Sequence, residues 1–486
     1  MNPLKRLASQ TAVYGISSIV GRFLNYLLVP LFTYYFTPAQ YGVVSEFYAY
    51  AGFFAVVLVF GFETGYFRFR DKDGNTPDVA YSTALRFLLG ANLGFFVLLL
   101  LSSNVLANAL QHGEHPEYVV WIAAILALDA IGAVAFAKLR AQEKALRFAS
   151  IKMFEILVNV GLCLLFIVVL RNASTSWAAG LWDPEMGVGY IFIANLVASG
   201  AKLLLLAPQL RGVTRGFDAA LFNKMLRYSL PMVIIGFAGI VNEMLDRAMM
   251  KYLLPGDTQA NLAQLGIYSA CYKLSIVMSL FIQAFRYAGE PFFFAHAADK
   301  NAPRTYADVL TYFVIFCAFI FLLVTLYLDI FKYFVGAAFR EGLFVVPILL
   351  LANLFLGIYV NLSVWYKLTD RTLMGAYVSV GGALITIALL LWWVPLFGYA
   401  GAAWATLACY ASMALASYLL GRKFYPVPYD VKRVLGYVVF AVALYVANQE
   451  LIWFTGMHVL VSGTLFLLMY LFAAYAIDGR KLLHRT

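Results

Sequence analysis

Arg22, Asp129, Glu243, Asp246, Arg247 and Lys273 are ionisable residues set inside long apolar stretches of a 486-residue chain. A charge near the middle of a bilayer costs at least about 2.5–3.5 kcal/mol on insertion scales, so each needs a counter-charge or a wet cavity. Two chemistries suit such a set. Arginine and lysine hold the oxygens of phosphates and anionic sugars, arginine through a bidentate fork. Arg22, Arg247 and Lys273 are therefore candidate substrate-binding residues, joined by Arg86 and Arg286 nearer one membrane face. A carboxylate kept from water takes up a proton more readily and can equally coordinate Na+, which makes Asp129, Glu243 and Asp246 candidate ion-coupling residues.

Structural readings stand beside these. Glu243 and Arg247 are four residues apart on one helix face and can simply pair, the favoured reading for them. Asp129 suits a static ion pair as well as it suits coupling. Arg22 has no carboxylate in its own apolar run, which favours function. Arg68, Arg86, Lys202, Arg286, Glu63, Glu155 and Glu290 fall nearer the cytoplasmic side, where they can line a vestibule; for Lys202, snorkelling to lipid phosphates is preferred. Glu46 and Arg340 are expected at the outer surface. No catalytic constellation and no metal-ligand set is read, and no cofactor is expected beyond a coupling H+ or Na+.

The elements that must carry these charges follow from composition. Hydrophobic residues are 63% of the chain and charged residues 12%, too apolar a balance for a surface in water. Runs such as Phe87 to Leu101 are apolar on every side, which fits membrane helices and not the alternating strands of a barrel. A helix needs roughly 20 apolar residues to cross about 30 Å of hydrocarbon. The expected class is an all-α integral membrane protein with about fourteen transmembrane helices, at 10–36, 43–69, 82–111, 117–140, 150–171, 187–209, 228–254, 264–290, 308–330, 343–367, 373–395, 400–423, 432–452 and 457–477. Counting from the span ends places Arg22 about 18 Å deep, near the midplane.

Lys and Arg around the connections fall almost entirely on one alternate set; the other set holds only Arg171, Lys251, Lys332 and Arg340. The positive-inside rule then makes both termini cytoplasmic. The same asymmetry accounts for the net charge of +10, so no nucleic-acid partner is needed. Cys163, Cys271, Cys317 and Cys409 lie in apolar runs as small buried hydrophobes.

An internal repeat organises the chain. Residues 39–50, AQYGVVSEFYAY, match 263–274, AQLGIYSACYKL, and GISSIV at 15–20 matches GFAGIV at 236–241. Six spans separate the copies, so the halves have like orientation and predict two pseudo-symmetric lobes about an axis along the membrane normal. The expected divisions are an N-lobe at 1–210 with helices 1–6, a C-lobe at 211–425 with helices 7–12, and helices 13–14 with a cytoplasmic tail at 426–486. In this alignment Arg22 is the counterpart of Glu243.

The opening SQTAVYGISSIVGRFLNYLLVPLFTYYFTPAQYGVVSEFY resembles bacterial polysaccharide-export flippases, the O-antigen and capsule repeat-unit group within the superfamily of multidrug, oligosaccharidyl-lipid and polysaccharide exporters. The segments AKLRAQEKALRFASIKMFEILVNVGL at 137–162 and VVPILLLANLFLGIYVNLSVWYKLTDRTLMGAYVSVGGALITIALLLWWVPLFGYAGAAWATL at 345–407 resemble it too. The resemblance covers spans one to twelve. It implies a carrier of a bacterial cytoplasmic membrane, not an enzyme. Its cargo would be a polyprenyl-diphosphate-linked oligosaccharide, a repeat unit for lipopolysaccharide or another surface polymer, moved to the outer leaflet by alternating access. Its partners would be that lipid-linked oligosaccharide, membrane lipids and other polysaccharide-assembly membrane proteins. Two other classes stay open: an ion-coupled exporter or antiporter of small cationic compounds, and a membrane glycosyltransferase or polymerase. The short outer loops, with scattered acids such as Asp183 and Glu185, weigh against the latter.

Overall fold

A computed structural model describes residues 15, 17, 19–71, 76–172, 182–211, 216–297 and 299–479, and every regular element among them is helical. Residues 19–26 are helical and α1 (Leu28–Tyr35) follows, within the range expected for the first span, whose beginning lies outside the described residues. Among the described residues twelve helices are long and apolar enough to cross a membrane: α2 (Pro38–Phe69), α3 (Pro77–Leu101), α4 (Pro116–Ala141), α5 (Ala145–Leu170), α6 (Gly189–Leu210), α7 (Ala219–Leu253), α10 (Ala302–Leu326), α11 (Ala337–Leu368), α12 (Thr372–Phe397), α13 (Tyr399–Phe424), α14 (Val431–Thr455) and α15 (Val459–Asp478). Between them α8 (Thr258–Leu274) and α9 (Ile276–Ala295) form a pair bent by 48°, which passes the same test when taken together. The chain is thus an all-α multi-pass membrane protein.

Local chemistry sets the ends of these helices. Thr37 caps α2 with a reciprocal box: its hydroxyl accepts from the Gln40 N–H, while Gln40 Oε1 accepts from the Thr37 N–H at 3.0 Å, and Pro38 occupies the first turn, where a missing N–H costs nothing. Asp218 and Asp430 cap α7 and α14 in the same sense, accepting from Leu221 and Arg433. α12 turns into α13 at Gly398, whose φ of +61° is a backbone state that favours glycine.

Packing divides the chain into two compact units, Met1–Gly266 and Ile267–Thr486, with the division inside α8. In the first unit α4 packs on α3 and α6, α6 on α5, and α2 along α7; in the second α13 packs on α11 and α12, and α10 on α14 and α15. The division by packing is a different quantity from the repeat: α7 begins the second copy in sequence, yet packs on helices of the first. The first unit has a core of Phe62, Tyr81, Leu85, Leu88 and Met225. Leu101, Leu204 and Phe472 lie on the outside and are largely exposed. Such faces would aggregate in water and match lipid.

Candidate functional site

A network of charges occupies the interior of the first unit. Lys202 of α6 reaches Asp129 of α4 at 2.5 Å and Glu155 of α5 at 2.6 Å, and its side chain is 3% exposed. Ser199, one turn earlier on α6, donates to the same Asp129 oxygen at 2.8 Å. Lys152, on the same face of α5 as Glu155, lies 3.5 Å from that carboxylate. The spacing explains the convergence: residues three apart share a helix face, so Ser199 with Lys202 and Lys152 with Glu155 each present paired groups. Further along α6, Asn195 donates to the Tyr48 hydroxyl at 2.9 Å. The two carboxylates and the two ammoniums balance in charge, with the buried Lys202 shared between both acids and Lys152 at the edge of the network.

Lys202 therefore does not snorkel to lipid as the sequence suggested. It bridges the carboxylates of two neighbouring helices and is itself almost wholly buried.

A second buried cluster joins Glu46 of α2 to Lys251 of α7 at 2.6 Å and to His112 at 2.9 Å. Neither the Glu46 nor the Lys251 side chain has any exposure. Glu46 was expected at the outer surface; instead it is sealed under Tyr50, whose hydroxyl donates to it at 2.7 Å.

The remaining candidates scatter. Arg22 is exposed and has no hydrogen-bond or ion-pair partner among the described residues. Just before it, a Cβ at Gly21 would overlap the Ile156 side chain, and Asn25 meets Asn159 at 3.5 Å. This face of the first helix is thus applied to α5, and Arg22 lies about 100° round from Gly21. Glu243, its repeat counterpart, is also exposed. The expected Glu243–Arg247 side-chain pair is not formed: Arg247 Nη2 donates to the Glu243 carbonyl at 2.5 Å, and its Nε donates to the Asp246 carboxylate at 3.3 Å. Asp246 and Arg247 are both buried, so the adjacent acid takes the cation that the helical spacing had offered to Glu243. Arg86 is exposed on α3.

In the second unit Lys273 is half-buried on α8. Arg286 lies 3.2 Å from Glu290, which Lys367 also approaches at 2.5 Å. The structure thus brings Asp129 into a network and Asp246 against Arg247, and joins Arg286 to Glu290. Sequence reasoning missed Lys202 and Glu155 as partners of Asp129, and His112 and Lys251 as partners of Glu46. Opposite charges in neighbouring spans were the available signal for the first group; His112, in a connection, offered none.

Comparison with known proteins agrees with this architecture. A model of the family described as "Polysaccharide biosynthesis protein" matches residues 7–295. Comparison with curated protein sequences gives no match. The fold is similar to a structure described as "Lipid II flippase MurJ, inward closed conformation", at 14% identity, covering 97% of this chain and 100% of that one with a TM-score of 0.69. It is also similar to an inward-facing multidrug resistance MATE family transporter of the MOP superfamily, at 14% identity, over 82% of this chain and 93% of that one, TM-score 0.62. An outward-facing conformation of such a transporter matches at 14% identity over 85% and 94%, TM-score 0.59. At such identity these likenesses establish the fold. The family match spans more than half of the sequence, and the chain belongs to the polysaccharide biosynthesis protein family.

Proposed function

We propose that this protein flips a polyprenyl-diphosphate-linked oligosaccharide from the inner to the outer leaflet of a bacterial cytoplasmic membrane, by alternating access and with both termini cytoplasmic. Family membership carries the reading, and the fold supports it: the lipid II flippase matches this chain nearly end to end, whereas the multidrug transporters leave more of it unmatched. Arg22 is the first candidate for the diphosphate, being a cation in an apolar helix that no described carboxylate neutralises. The Asp129–Lys202–Glu155 network supports ion coupling, since uptake of H+ or Na+ by either carboxylate would compete with Lys202 for it.

The deciding experiment reconstitutes the purified protein in vesicles and follows a fluorescent polyprenyl-diphosphate oligosaccharide with a membrane-impermeant quencher. Protein-dependent translocation of the lipid-linked sugar, without transport of small organic cations, is the expected result. Transport of the cations alone would select the exporter reading instead.

A further inference from the structure

The two copies of the Ala-Gln-x-Gly motif lie against one another. A Cβ added at Gly42 would overlap the carbonyl oxygen of Leu262, and one added at Gly266 would overlap the carbonyl oxygen of Pro38. Each glycine therefore meets the residue four positions ahead of the other, and the contact repeats itself with a two-fold pattern. Only the missing side chains let the α2 and α8 backbones approach so closely.

One turn beyond Gly42 on α2 stands Glu46, and everything around it leads back to the same end of the first unit. Lys251 bonds Glu46 and also donates to the Leu110 carbonyl at 2.6 Å. Asn261 of α8 donates to the Lys251 and Leu254 carbonyls at 3.0 and 2.9 Å. His112 comes from the connection between α3 and α4, and Lys251 from the end of α7. A single carboxylate thus ties together the start of α2, that connection and the turn from α7 into α8.

We propose that the Gly42–Gly266 crossing and the Glu46–Lys251–His112 cluster form the outer closure of the carrier, a joint that parts once in each cycle to release cargo outward. The proposal rests on the transport reading and on the orientation given above, which puts these connections on the outer side. A dry ion pair suits a joint that must open. In the closed state low dielectric strengthens it, and once water enters both ions are hydrated, so the open state holds no bare charge. An apolar seal of the same size would expose its whole area to water on opening. The glycine crossing adds register, since backbone on backbone leaves no slack for an alternative fit.

The test uses Ala248→Cys, at a 6% exposed position on α7 beside Tyr50, in a chain whose four native cysteines are replaced by serine. A membrane-impermeant maleimide is added from outside to intact cells. Adding Lys251→Met to this chain should raise the labelling rate about tenfold or more, because the closed state then holds an uncompensated buried carboxylate. Tyr50→Phe, which removes one hydroxyl, should raise it less, and the exchange Glu46→Lys with Lys251→Glu should bring it back towards the parent rate. Should Lys251→Met fail to accumulate in the membrane, Tyr50→Phe decides alone. Parent-rate labelling in Tyr50→Phe and, where it accumulates, in Lys251→Met would overturn the proposal. Labelling does not depend on what is carried: a failed response with flipping intact rejects the closure, and a response without flipping rejects the cargo.

Discussion

Lys202 donates to Asp129 across 2.5 Å between α6 and α4, and the same ammonium reaches Glu155 of α5 at 2.6 Å. Three helices of the first unit are therefore joined at one buried nitrogen. Removing it should be felt as structure before it is felt as transport. Lys202→Met is expected to destabilise the protein by about 3 kcal/mol, the low end for breaking a buried pair because the Asp129 side chain is 43% exposed. Thermal unfolding in detergent measures this. The triple variant with Asp129→Asn and Glu155→Gln should recover most of the loss. A triple variant no better than Lys202→Met would show that the stem of the lysine, and not its charge, does the holding.

Arg22 poses the opposite case. It is exposed, and no described residue pairs with it, so Arg22→Ala should leave folding intact. The expected outcome is loss of surface polysaccharide export with normal accumulation in the membrane, read by immunoblot beside a polysaccharide stain. Wild-type export in this variant would remove Arg22 from the mechanism.

Glycine positions in the second unit separate close packing from open space. A Cβ at Gly401 would overlap the Trp393 carbonyl where α12 and α13 meet, whereas one at Gly381 meets nothing within 4 Å. Gly401→Ala should cost about 1–3 kcal/mol by overpacking. Gly381→Ala should stabilise by about 0.5–1 kcal/mol, since it lowers the entropy lost on folding. Paired thermal unfolding curves check both signs at once.

Asp478 fastens the last helix. It accepts from Tyr437 at 2.6 Å and from Arg433 at 3.0 Å, both on α14. Asp478→Ala should cost about 1.5–3 kcal/mol, the range for hydrogen bonds to charged groups. Hydrogen exchange should rise across Val459–Asp478 and stay unchanged in α4 and α6. Faster exchange throughout the chain would mean that this contact supports the whole fold and not one helix.

Much of the architecture was legible because lipid is an undemanding solvent to read. An apolar run of the right length must become a helix in a bilayer, since no water is there to satisfy the backbone otherwise, and each expected span after the first overlaps an observed helix, the eighth as the bent α8–α9 pair, although the third helix ends at Leu101 and not at 111, and the seventh begins at Ala219 and not at 228. Thr37 with Gln40 and Gly398 set helix ends in the structure by chemistry confined to neighbouring residues, a signal that the count of apolar residues did not use. The Ala-Gln-x-Gly repeat was visible as letters.

What tertiary structure alone decided is where each charge finds its partner. Depth along a helix can be counted from sequence, but direction round it, and which neighbour lies there, depends on how helices pack. Lys202 was within counting distance of two acids and turned inward to them. Glu46 was near enough to an end to be taken for surface and was closed over by Lys251 and His112, residues 205 and 66 positions away. Arg247 chose the adjacent Asp246 over Glu243 one turn back. Hydrophobicity fixes that a segment crosses the membrane because it is a property summed over twenty residues; an ion pair is settled by a few ångströms between two, and only the packed helices set that distance.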